Sequence, residues 1–291
     1  MQTRTGQGDD VTRAMKKLLV FLFFVPIVSA ASEAGYRLDR SRIDSNDMLS
    51  LQAGARTFVN YCLNCHGAQY MRYNRLTDIG LTEKQILDNL VFTGAKVGET
   101  MKVSLSVADG KAMFGAARPD LSVIARARSA DWLYTYLRTF YRDSKSPTGW
   151  NNAAFPQVAM PHALFEMQGP RTTKIETIAS ETDENTKKVT GYSMTTVALD
   201  QNGFRTEEKK PLPAGKDYHP GTQITFESPP NSDRARIAYD TTVRDLVNFL
   251  DYVAEPAASS RKRVGIWVLF FLAFLFIFAY ALKKEYWKDV K

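Results

Sequence analysis

The sequence predicts a mainly α-helical exported domain, interrupted by one long insertion that is irregular or folded as a hairpin, and ended by a single transmembrane helix. Three observations carry this prediction. Four segments repeat apolar residues at the spacing of a helix face. Residues 171–238 lose that spacing and become rich in Thr, Lys, Glu and Pro. Residues 264–282 run nineteen positions without a charge.

Taken in chain order, the first element is a targeting segment. Arg13, Lys16 and Lys17 precede an eleven-residue apolar run, 18–28, which is followed by the small residues Ser29 and Ala30. A bilayer needs about 20 apolar residues, so residues 1–30 read as a cleaved signal peptide, with an uncleaved anchor as the competing reading. Met15 offers a second candidate start. The exported part is then 31–260. Within it, Leu51, Ala55, Phe58, Val59 and Cys62 share one helix face, and Thr82 with Gln85 forms a capping box ahead of Ile86, Leu87 and Leu90. Leu133, Tyr136, Leu137 and Phe140 mark a helix from Ser129; Val243, Leu246, Val247, Leu250 and Val253 mark another from about Thr242, closed by Pro256. The insertion, about 171–238, has weak alternation near Tyr192–Leu199 and an Asn202-Gly203 turn signal, enough for one hairpin. The segment 264–282 is the transmembrane anchor: at 1.5 Å per residue it spans roughly 29 Å. Residues 283–291 then form a cytoplasmic tail, and the export signal places the domain ahead of the anchor on the opposite side of the membrane.

The 291 residues carry a net charge of +7, a balance that raises nucleic acid or an anionic membrane as partner. Its distribution decides between them. Residues 31–260 carry 27 positive and 27 negative side chains, so the whole surplus flanks the two apolar segments. That excludes a nucleic-acid footprint and leaves membrane lipid. Two cysteines exclude a disulfide scaffold.

Those two cysteines stand in Cys62-Leu63-Asn64-Cys65-His66, the C-x-x-C-H signature of covalent c-type haem attachment. Two thiols three positions apart can each add to a haem vinyl group, and the adjacent imidazole then lies under the iron. Gly67 lets the backbone pass close to the porphyrin edge. A thioredoxin-like dithiol would follow a strand, but here a helix precedes the motif. A zinc site would need a second ligand pair, and no further cysteine exists.

One motif means one haem, with one axial position left. His162, His219 and the methionines compete for it; a thioether gives the higher potential. Met160 lies in a loop stiffened by Pro156 and Pro161, and His162, two residues on, is its closest rival. Core packing is the plain alternative for Met160. Arg118, fixed just before Pro119, offers a fork to a haem propionate, or is merely an exposed arginine near a helix start; Arg126 and Arg128 are weaker candidates.

From this motif the order continues through Arg118-Pro119-Asp120-Leu121-Ser122, Ala125-Arg126-Ala127-Arg128, Pro147-Thr148-Gly149, Phe155-Pro156 and Ala159-Met160-Pro161. It ends with Tyr239-Asp240, Ala254-Glu255-Pro256, Arg261-Lys262-Arg263 and the anchor. This series resembles the cytochrome c1 family, the haem subunit of the cytochrome bc1 (ubiquinol–cytochrome c oxidoreductase) complex, in its proteobacterial form. The chain departs from many members in having Pro119 alone after Arg118. The resemblance implies a mono-haem cytochrome-c-like domain with one covalently bound haem c. Cys62 and Cys65 would be its thioether positions, His66 and Met160 its metal ligands, and Arg118 would lie near a propionate; no residue would be catalytic in the acid–base sense.

The function implied is electron transfer inside an enzyme complex: in from a Rieske iron–sulfur protein, out to a soluble or membrane-bound cytochrome c. Cytochrome b would be a further partner and the complex dimeric. The rival readings are a haem enzyme or sensor with an open sixth position, and an electron-entry subunit of a terminal oxidase or nitric-oxide reductase. The signal-then-tail layout argues against the second.

Overall fold

The computed structural model describes residues 36–103, 105–183, 188–213 and 218–289, and leaves the side chain of Ser259 aside. The expected signal peptide, 1–30, lies outside them. Helix α1 (Met48–Thr57) opens with the Asp47 side chain accepting from the Ser50 amide, and it runs directly into a π-helical turn over Phe58–Cys62. Strand β1 (Ala68–Arg72), a 3-10 turn (Tyr73–Ile79) and α2 (Glu83–Leu90) follow. The capping box legible in the sequence is present at α2: Thr82 Oγ1 accepts from the Gln85 amide and Gln85 Oε1 accepts from the Thr82 amide. Thr82→Ala removes one half of it and is expected to cost about 1 kcal/mol, a fall in Tm of roughly 2–4 °C, measurable by thermal melting.

After β2 (Thr100–Met101), which pairs with β1, come α3 (Val107–Phe114), α4 (Ile124–Arg128) and α5 (Ala130–Arg138). Ser129 caps α5, as its position suggested, by accepting from the Trp132 amide. Phe140 lies beyond that helix, in β3 (Phe140–Arg142), which pairs with β4 (Trp150–Asn152). A short α6 (Phe165–Gln168) precedes the insertion.

The insertion is the chief departure from expectation. It is neither irregular nor a lone hairpin but a four-stranded antiparallel sheet, β5 (Thr172–Thr182), β6 (Val189–Leu199), β7 (Arg205–Pro211) and β8 (Gly221–Glu227), in the order β7-β6-β5-β8. With it, the expectation of a mainly α chain is not met; helices and a substantial sheet share the domain. The physical reason is that only one face of this sheet is covered. Ile175, Val197 and Ile224 align across three strands and join Tyr141, Ala153, Leu199 and Phe226 in a small second core. Much of the rest is solvated, so the strands carry Thr, Lys and Glu, and the alternation that reveals a strand is faint outside β6. The Asn202-Gly203 signal is a real turn between β6 and β7, with Gly203 at φ +87°.

Helix α7 (Asp233–Ala254) begins nine residues before the apolar pattern does, because its first turns are exposed and polar. Its later turns cross α1, and the crossing is the centre of the main core. Phe58 and Phe249 meet with ring centroids 5.6 Å apart, and Leu51, Ala55, Val243, Leu246 and Leu250 are buried around them. Ser50 Oγ donates to Asp245 Oδ1 at 2.8 Å and accepts from Asn248 Nδ2 at 3.0 Å. Arg138 ties the pieces together, with Nε and Nη2 on the two carboxylate oxygens of Asp240 at 2.6 and 3.0 Å and Nη1 on Asp39 at 2.6 Å.

Beyond Pro256, α8 (Ala258–Tyr286) is long and apolar enough, over Ser260–Tyr286, to cross a membrane. Its apolar side chains are exposed along its length, as suits a helix surrounded by lipid. At its base, Glu255 holds both Arg126, at 3.3 Å, and Arg261.

Candidate functional site

The C-x-x-C-H motif sits where α1 ends. The sequence pattern carried the helix face through Cys62, but regular α-helix stops at Thr57 and the next turn is wider: the Leu63 amide reaches back five residues to the Phe58 carbonyl at 3.0 Å. Such π turns insert one extra residue per turn and recur at functional sites. Here Phe58 and Val59 remain buried while Cys62 reaches the half-buried boundary. The Cys65 and His66 amides then both donate to the Cys62 carbonyl, at 3.0 and 2.7 Å, which folds the motif into a tight knot.

The donor set fits a covalently held haem. Neither cysteine is in a disulfide, and burial, with Cys65 adding to it, pushes the Cys62 thiol up to about 12. His66 Nδ1 lies 2.8 Å from the Pro119 carbonyl. A carbonyl only accepts, so Nδ1 carries the proton and Nε2 keeps its lone pair. Burial holds the His66 pKa below the ordinary value, while the Pro119 bond pulls the other way. The neutral imidazole thus has one nitrogen oriented and one available, the arrangement of a metal-binding histidine with its second partner in place.

Arg118 is brought to this motif, though its observed partners are not carboxylates. Its guanidinium donates to the backbone carbonyls of Cys65, Leu105 and Ser106, and Nε is buried without a partner. Gly110 makes this possible, since a Cβ there would collide with Nε. Asp120 was not singled out from the sequence, yet it stitches the same loop. Its carboxylate accepts from the Gln69 and Ser122 amides at 3.0 and 2.9 Å, and the Leu121 amide reaches the Gly67 carbonyl at 2.8 Å. A Cβ on Gly67 would stand 3.1 Å from Asp120 Oδ2 and 3.4 Å from the Met101 carbonyl, so a side chain there would press on the Asp120 carboxylate that the Gln69 and Ser122 amides hold. Arg126 is engaged with Glu255, and Arg128 lies over the Trp132 ring at 5.2 Å.

Met160 occupies a second wall, built by α5 and the loop after β4, and both Cys62 and Met160 pack against the same main core. Its sulfur accepts a hydrogen bond from Tyr136 Oη at 3.3 Å. Burial pushes the Tyr136 pKa well up, so the hydroxyl stays protonated. Sequence reasoning missed Asn152, which is fully buried and organises this wall. Its Nδ2 donates to the Tyr136 carbonyl at 2.7 Å, and its Oδ1 accepts from the Ala154 and Phe155 amides at 2.9 and 3.0 Å. Only a buried amide side chain facing two backbone directions does this, and the doublet Asn151-Asn152 before Phe155-Pro156 was the one signal for it.

The two histidine rivals are placed otherwise. His219 is exposed, just ahead of β8. His162 is buried in an aromatic box, stacked on Phe140 at 4.7 Å and edge-on to Trp150 and Tyr239. Gln168 approaches its ring outside hydrogen-bonding geometry, and neither nitrogen has a partner. Burial, then Arg171, drives its pKa down to about 3, so the ring is neutral and packs as an aromatic.

Comparison with known proteins adds an independent line. The profile of the Cytochrome C1 family matches residues 40–194 and 218–290, leaving out only the end of β6 and β7 with its flanks in the middle of the chain. The chain is 40% identical to the cytochrome c1 of Allochromatium vinosum, over 95% of this chain and all of that one. It is 39% identical to a protein of Nitrosomonas europaea named ammonia monooxygenase gamma subunit, over 96% of this chain and 99% of that one. The cytochrome c1 of Rhodospirillum rubrum is 24% identical over 84% of this chain and 83% of its own length. The names differ; the family profile, which spans the motif wall, the Met160 wall and α8 alike, decides between them. The chain belongs to the cytochrome c1 family, whose members bind one covalent haem c and serve as electron-transfer subunits of the cytochrome bc1 complex.

Proposed function

We propose that this chain accepts one electron at a time from a Rieske iron–sulfur protein and passes it to a c-type cytochrome, beside cytochrome b in a dimeric membrane complex. In this reading Cys62 and Cys65 would hold the haem through thioethers, and His66 Nε2 and Met160 Sδ would ligate its iron. When bound, the haem supplies a reversible one-electron couple, and the chain's own residues do the rest. Pro119 orients His66; Arg118 holds the Cys65 backbone and has Nε left to offer a propionate; the buried walls exclude water and set the potential. The observation that carries the reading is the His66–Pro119 bond, which leaves an oriented, neutral ligand nitrogen beside two unpaired thiols.

The signal peptide (1–30), the periplasmic placement of 31–260 and a cytoplasmic tail at 283–291 belong to the same proposal. Support comes from the exposed apolar α8 and from the confinement of the positive surplus to the chain ends. Purification of the tagged protein in mild detergent tests the assembly: cytochrome b and a Rieske protein are expected to accompany it, and the absence of both would overturn it. Met160→Leu tests the ligand. The variant is expected to lose the ferric iron–sulfur charge-transfer band and to bind carbon monoxide when reduced, whereas the wild type resists it; a surviving band would remove Met160 as ligand.

A further inference from the structure

Tyr136 stands out as a polar group that packing does not require. Its ring lies parallel to Trp132, at 4.8 Å and 11°, and meets Phe140 edge-on at 5.0 Å. A phenylalanine would fill the same space. Yet a hydroxyl is buried there, and among the described residues its one hydrogen bond is to Met160 Sδ. Burying a hydroxyl costs free energy unless it is bonded, and a thioether is a weak acceptor, so the arrangement is poor economy as mere packing.

We propose that Tyr136 sets the donor strength of the axial thioether, a role that rests on Met160 being the ligand. A thioether sulfur has two lone pairs; one is available to a metal while the other accepts a hydrogen bond from the phenol. Electron density drawn toward the hydroxyl is withheld from the metal, which favours the reduced state and raises the potential. One electron enters on reduction and no proton moves, because the phenol keeps its proton in both states.

The distance is held from both ends by one side chain. Asn152 fastens the Tyr136 carbonyl through Nδ2 and the Ala154 and Phe155 amides, which begin the Met160 loop, through Oδ1. Donor and acceptor therefore hang from a common buried post. Tyr136 is thus a positioning and tuning residue, acting through Met160.

The test is a redox titration of the purified holoprotein with optical spectra, for wild type, Tyr136→Phe and Trp132→Phe. Only the difference in this bond between the two oxidation states enters the potential, so Tyr136→Phe should lower the equilibrium constant for reduction by a few-fold, with about tenfold as the upper bound set by a whole hydrogen bond. Tenfold corresponds to 59 mV for one electron. The ferric iron–sulfur band should remain but move. Trp132→Phe disturbs the same stack without touching the hydroxyl, and should leave both readouts in place. An unchanged potential and band in Tyr136→Phe, or an equal shift in Trp132→Phe, overturns the role of Tyr136 while Met160 stands as ligand. A wild type without the band overturns the Met160 assignment itself.

Discussion

Replacing both Cys62 and Cys65 by serine is expected to abolish covalent haem attachment entirely. Thioether formation adds S–H across a vinyl double bond: the sulfur bonds one carbon, its proton goes to the other, and no oxidant is consumed. A serine hydroxyl at the same place is a far weaker nucleophile, and the chain holds no third cysteine to substitute. The double variant keeps His66 and its Pro119 bond, so any haem still bound would be held by coordination alone. Haem-peroxidase staining after denaturing electrophoresis should show a band for wild type and none for the double variant. Haem should also pass into acidic organic solvent from the variant and stay with the wild-type chain. Either single variant should retain one thioether and an asymmetric reduced spectrum. Covalent haem on the double variant would show that the motif is not the attachment site.

The second large effect is expected at Gly54, on α1 eight residues before Cys62. Where α1 crosses α7, a Cβ on Gly54 would stand 2.6 Å from Phe249 Cβ and 2.7 Å from the Asp245 carbonyl carbon, with the carbonyl oxygen closer still. Neither obstacle is a flexible side-chain tip; both are fixed to helix backbone. Gly54→Ala must therefore push the helices apart or tilt them, opening the Phe58–Phe249 contact. Overpacking of this kind costs about 3 kcal/mol or more, at the upper end for buried insertions. On a domain of this size that is a fall in Tm of roughly 6–12 °C. The intrinsic helix preference of alanine over glycine, about 1 kcal/mol, works in the opposite direction and is outweighed. Differential scanning calorimetry of the holoprotein decides it. An unchanged or raised Tm would mean that the crossing has slack absent from this structure.

Both effects start from residues whose meaning differs in legibility. The cysteines stand out, because their spacing is that of a haem-attachment motif. Gly54 does not, since a glycine inside a helical pattern reads as a weakness until the partner helix is known. The same division runs through the fold. The Thr82–Gln85 cap, the Ser129 cap and the apolar face of α7 are local, and each falls where the pattern places it. The four-stranded sheet is not local. Its register depends on pairing Ile175 with Val197 and Ile224 across long stretches of chain, and its solvated face erases the alternation. The π turn at Phe58–Cys62 was hidden for another reason, since apolar spacing cannot distinguish a turn of 3.6 residues from a wider one. At the candidate site, residue type singles out His66 and the thiols, whereas Asn152, Asp120 and the hydroxyl of Tyr136 enter through hydrogen bonds to backbone or sulfur that no spacing encodes.

Strand β7 carries a consequence of its own. It lies at the rim of the sheet with all seven residues exposed, so one row of its backbone amides and carbonyls has no neighbour in the sheet, a template on which another chain could zip. The sequence Arg205-Thr206-Glu207-Glu208-Lys209-Lys210-Pro211 guards against that. Arg205 pairs with Glu207 and Lys210 with Glu208 along the rim, and Pro211 removes a donor at its end. An approaching strand would have to strip water from charges already satisfied. Strand β7, which lies outside the family profile, is thus guarded against edge-to-edge pairing by its own composition, and among the described residues no helix covers this margin.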